Sequence, residues 1–97
     1  MPIYISLVNL TDQGIRNFSD SPKRAQAFKD LVGQLGGSVR EVYWTLGAFD
    51  VVAVFELPDD ETATAAALKS SSLGNVRTTT LRAFDEGEIK AIIEKAG

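Results

Sequence analysis

A chain of 97 residues with neither histidine nor cysteine has to do any acid–base or nucleophilic chemistry with carboxylates, phenols and hydroxyls. Two groupings gather such side chains. The stretch Thr45-Leu46-Gly47-Ala48-Phe49-Asp50 sets an aromatic ring beside a carboxylate, between two runs of strand formers, SVREVYW and VVAVFE. A second set, Tyr43, Thr45, Thr78, Thr80 and Arg82, joins hydroxyls to a guanidinium fork that suits a carboxylate or phosphate. General-base work near neutrality would fall on Asp50, Glu41 or Tyr43, each of which has an ordinary pKa far from that range.

Both groupings also have a structural reading. Gly47 permits positive φ at a hairpin turn, and Asp50 can accept local backbone N–H bonds there. The threonines and Tyr43 suit cross-strand pairing at a subunit interface, with Arg82 answering Glu41 or Asp50. The ligand readings make Asp50 a polar anchor for an amine or hydroxyl at the rim of a cleft, and the second set a pocket for a small acidic or carbonyl-bearing molecule, with Tyr43, Phe49, Asp50, Thr80 and Arg82 as the candidate ligand-binding residues. Trp44 alternates with Val42 and Leu46 and reads as a core anchor. No cofactor or metal is expected: the usual zinc ligands are missing, and there is no GxxxxGK[ST] or GxGxxG pattern. The acidic run Asp59-Asp60-Glu61 is accounted for by a helix amino terminus.

The elements that would position these residues follow from periodicity. Ile3, Ile5 and Leu7 alternate with Tyr4, Ser6 and Val8 in a strand predicted at 3–10. Ile15 and Phe18 suit a short helical turn after it. Ser21 as cap and Pro22 open a helix over 22–35, stopped by Gly36-Gly37. A second strand is predicted at 38–46 and a third over Val51–Phe55, apolar on both faces like a central strand. A helix starting at Asp59 runs to LGN at 73–75, and a fourth strand occupies 76–84. Asp85 and Glu88 form a capping-box start to a last helix carrying Ile89, Ile92 and Ile93.

The order is βαββαβ with an added C-terminal helix, which predicts an α+β, ferredoxin-like single domain over 1–97. Its four-stranded antiparallel sheet would have strands one and three at the centre and both long helices on one face. The opposite face is expected to hold Tyr4, Ser6, Val8, Tyr43, Thr45, Thr78, Thr80, Arg82 and Phe84. Such an amphipathic surface is suited to burial against a second copy in a homodimer or larger assembly. Thirteen acidic against ten basic residues give a net charge of −3, which disfavours nucleic acid. No signal peptide or membrane span is read, so a cytoplasmic setting is expected.

YWTLGAFDVVAVFE, the acidic PDDETA helix start and LGNVRTTTLRAF together resemble the GYD-domain family of small bacterial proteins. The likeness runs from YISLVNLTDQG to the terminal helix. It implies a ferredoxin-like subunit in a dimeric α+β barrel, and no established reaction. The motif that names the family has Gly47, an intervening Ala48, Phe49 in place of the tyrosine, and Asp50, so the ring is retained without its hydroxyl. Three functions follow as expectations: a small-molecule-binding, regulatory, oligomeric domain; a cofactor-independent enzyme on a small aromatic or carbonyl compound; or a structural assembly module.

Overall fold

The computed structural model describes residues 1–97. Strands β1 (Ile3–Leu10), β2 (Ser38–Trp44), β3 (Val51–Glu56) and β4 (Val76–Ala83) form one antiparallel sheet in the order β2-β3-β1-β4. Helices α1 (Asp12–Arg16), α2 (Ser21–Gln34), α3 (Asp60–Ser72) and α4 (Glu86–Ala96) complete the chain, with a 3₁₀ turn at Phe18–Asp20. This is the ferredoxin-like α+β arrangement with a terminal helix added. No helix is long and apolar enough to cross a membrane.

Local chemistry accounts for most element ends. Asp59 caps α3 by accepting from the Thr62 backbone N–H at 2.8 Å and its hydroxyl at 2.6 Å. Those bonds, side-chain first, hold the Asp59 carboxyl below its usual range. Asp85 and Glu88 form a reciprocal capping box on α4. Gly36, at φ +90°, ends the turn after α2, and Gly37 N–H bonds back to the Val32 carbonyl at 2.9 Å. One expected cap differs. Ser21 lies inside α2, and its hydroxyl accepts the Trp44 indole N–H at 2.8 Å.

The core lies between the sheet and α2 and α3, built from Tyr4, Val32, Ala53, Phe55, Leu57, Ala63 and Ala66. Phe55 stacks on Tyr4 with ring centroids 5.7 Å apart and makes a T-shaped contact with Phe28 at 5.1 Å. The Tyr4 hydroxyl donates to Asp60 Oδ1 at 2.6 Å, at the start of α3. This reverses the expected faces of β1 and β4. Tyr4, Ser6 and Val8 lie under the helices, paired with Arg82, Thr80 and Thr78, while Ile3, Ile5 and Leu7 share the other face with Val52, Val54 and Leu81. The physical reason is that β1 is apolar on both sides, so alternation separates two faces without saying which one the helices cover. The long-range Tyr4 to Asp60 bond and the Tyr4–Phe55 stack fix that choice.

Burial first, then the hydrogen bond to Asp60 and the charge on that carboxylate, push the Tyr4 phenol up to about 12. An unfolded tyrosine titrates near ~10. The folded value is the higher one, so this stabilisation is whole below about pH 10 and disappears as pH rises through the folded pKa. Urea unfolding should therefore show wild type losing about 2 kcal/mol more than Tyr4→Phe between about pH 9 and pH 11.5. Parallel losses in the two proteins would remove the assignment.

Candidate functional site

The turn between β2 and β3 is tied at both ends. Gly47 takes φ +117°, a region that favours glycine. The Thr45 N–H donates to the Asp50 carbonyl at 2.9 Å, and the Thr45 hydroxyl donates to the Phe49 carbonyl at 2.6 Å. Asp50 then reaches across to β1: its N–H donates to the Val8 carbonyl at 2.8 Å, and its carboxylate accepts the Leu10 N–H at 2.8 Å. The carboxylate thus pins the hairpin to the last residue of β1. Phe49 is half-buried beside it, and Leu46, expected on the core face of a longer strand, is fully exposed beyond the end of β2.

The second grouping is divided by the sheet. Tyr43 stands on the helix-free face, where a hydrogen bond to Glu41 and that residue's charge raise its phenol pKa. Thr80 is on the helix side, its hydroxyl 2.8 Å from that of Ser6. Arg82 is there too, 5.8 Å from the Tyr4 ring centroid and 4.3 Å from that of Phe84. Its acid is Glu88 at 3.7 Å rather than the expected Glu41 or Asp50, and it also donates to the Ala83 carbonyl. Asp50 bonds the last residue of β1 while Arg82 pairs with Tyr4, so at about 3.3 Å per residue they are separated by roughly 20 Å. Tyr43, Asp50, Thr80 and Arg82 therefore do not converge on one cleft.

Two other features stand out. First, α2 packs over β2 and α3 over β4, leaving an opening above the two central strands. It is a cavity of about 230 Å³, floored by Ser6 and Ala53, with Phe28 and Trp44 among its walls and Arg24 and Lys69 contributed by the two helices. The available sequence signal was the run of small residues at inward positions, Ser6 and Ala53 in strands and Ala25 and Ala67 in helices. Second, the helix-free face is more apolar than expected, with Ile5, Leu7, Val52 and Val54 half-buried and Tyr43 and Leu81 exposed. Helix α4 carries three further exposed apolar residues, Ile89, Ile92 and Ile93.

Comparison with known proteins yields matches of three kinds. A family model described as the GYD domain matches residues 4–93. A protein of Thermus thermophilus named "Glutamine synthetase and cystathionine beta-lyase binding protein" is 35% identical over 92 residues, covering 94% of this chain and 97% of that protein. The crystal structure of TTHA0845 from Thermus thermophilus superposes with a TM-score of 0.56 at 30% identity, covering 88% of this chain and 95% of that one. MtbAldR, at TM-score 0.58 and 17% identity over 88% of this chain and 53% of its own, shares the fold alone.

Proposed function

Because the chain belongs to the GYD-domain family, we propose that it is a non-catalytic binding module, which assembles with a second copy through the helix-free face of its sheet and docks on metabolic enzymes in the cytoplasm. The observation that carries this reading is the aliphatic surface of Ile5, Leu7, Val52 and Val54 on the two central strands, flanked by exposed Tyr43 and Leu81. Strands of 8, 7, 6 and 8 residues at about 3.3 Å per residue and about 4.8 Å apart give the whole face roughly 350–450 Å², with the aliphatic residues at its centre. Patches above a few hundred Å² mark interaction surfaces. Of the charges on that face, Glu56 is answered by Arg40 at 3.1 Å, while Glu41 and Arg77 form no ion pair within the chain and are left to meet opposite charges across the contact.

The partner class comes from the Thermus thermophilus relative, whose name records binding to glutamine synthetase and cystathionine beta-lyase. A catalytic reading has less support. The Asp50 carboxylate is engaged by a backbone N–H, and the Tyr4 and Tyr43 phenols are shifted away from neutrality. A regulatory small molecule is compatible with such a module, and the space for one is the cavity between α2 and α3.

Light scattering after size exclusion tests the assembly. Wild type should run as a dimer or larger at micromolar concentration, and Val54→Lys should run at 10.5 kDa with an unchanged circular dichroism spectrum. A monomeric wild type, or a variant that keeps the wild-type mass, contradicts the reading. Capture of purified glutamine synthetase or cystathionine beta-lyase by the immobilised wild type supports the enzyme partners, and failure to retain either removes them.

A further inference from the structure

We propose that the cavity between α2 and α3 binds a small monocarboxylic acid whose body is about one aromatic ring in size. The size argument comes from the sheet. Where the central strands face the helices they present Ser6 and Ala53, and small side chains there leave about 230 Å³ open. A dry cavity of about 150 Å³ lined by aliphatic and aromatic groups admits benzene, so this one takes a ring with a short polar extension. The walls are mostly hydrocarbon, and they include the aromatic rings of Phe28 and Trp44.

Charge selects the head group. Two cations, Arg24 from α2 and Lys69 from α3, border the cavity, and no aspartate or glutamate does, although the chain carries a net charge of −3. Neither cation joins an ion pair; Arg24 makes one bond, at 3.3 Å, to the Gly14 carbonyl. The polar groups beneath are already matched, Ser6 with Thr80 at 2.8 Å and Ser21 with Trp44 at 2.8 Å. Ser70, Asn75 and Thr78 add neutral polar groups to the lining, but the only charged groups there are two donors of positive charge, which attract an apolar carboxylate and repel an amine. The proposal rests on the binding-module reading in one respect only: the ligand is held and released unchanged.

Trp44 is the sole tryptophan and borders the cavity, so its fluorescence reports occupancy directly. Titration with 3-phenylpropionate should change that emission saturably, with 3-phenylpropanamide and 3-phenylpropylamine at least tenfold weaker. The double variant Arg24→Gln/Lys69→Gln should lose about tenfold in affinity for the acid and gain nothing for the amide. Ala67→Leu, which fills the cavity from α3, should abolish the response while keeping the wild-type circular dichroism spectrum. No saturable change in wild type overturns the site. Equal binding of amide and acid overturns the ligand class, and binding that persists in Ala67→Leu overturns the location. Oligomeric state is measured separately, so a monomeric wild type that binds the acid would refute the assembly and leave this site standing.

Discussion

Phe55→Ala should lower the free energy of unfolding by about 3–5 kcal/mol, the range for deleting a large buried aromatic. Phe55 is the largest fully buried side chain, 2% exposed, and holds two ring contacts at once, with Tyr4 at 5.7 Å and Phe28 at 5.1 Å. It also borders the existing cavity. Truncation would merge the new void with the old one, so the surroundings have little to collapse onto, and the loss belongs at the upper end. Against a total stability of about 5–15 kcal/mol, that takes away a third or more of what holds a small domain together. Denaturant unfolding at neutral pH measures it. Leu46→Ala, at a fully exposed position, is the control and should fall within about 0.5 kcal/mol of wild type. A loss under about 1 kcal/mol for Phe55→Ala would mean that the three-ring stack does not anchor the core.

The second large effect concerns one hydrogen atom. A Cβ added at Gly37 would run into the Glu56 carbonyl oxygen and lie 2.9 Å from Leu57 Cδ2. The obstacle is β3 backbone, which cannot retreat without disturbing its pairing with Ser38 and Ile3. Gly37→Ala should therefore cost about 3 kcal/mol, the top of the usual range for overpacking. Gly33→Ala provides the opposite sign within the same segment: nothing lies within 4 Å of the added atom, and the position is inside α2. It should stabilise by about 0.5–1 kcal/mol. Melting temperatures that move the same way in both variants would contradict the close approach seen at Gly37.

Much of the architecture was legible because punctuation and periodicity agreed. Gly36 and Gly74, at φ +90° and +85°, close α2 and α3 where those residues predict a stop, and Asp85 with Glu88 opens α4. What alternation does not carry is the identity of the covered face. In β1, Ile3-Ile5-Leu7 and Tyr4-Ser6-Val8 are both credible inner sets. The deciding contacts lie far off in the chain, Tyr4 with Asp60 and Ser6 with Thr80. That reversal separates Tyr43 from Thr80 and Arg82 and dissolves the expected cleft. Gly37 reads as a helix stop in the sequence; its second role, letting β3 approach, depends on packing. The cavity is the least legible of all, since it is defined by how far apart α2 and α3 sit.

The two rims of the sheet are not alike. The pairing of β2 with β3 shifts register between Val39 and Glu41, which places an irregularity and the charged Arg40 on that rim. β4 runs through eight paired residues, with exposed Arg77 near its start and Arg82 near its end. A kinked, charged border and a straight one bracketed by guanidinium groups are both poor templates for strand addition by a stray chain. Concentrated solutions of this protein should consequently resist fibril growth, even though its central strands are rich in valine and isoleucine.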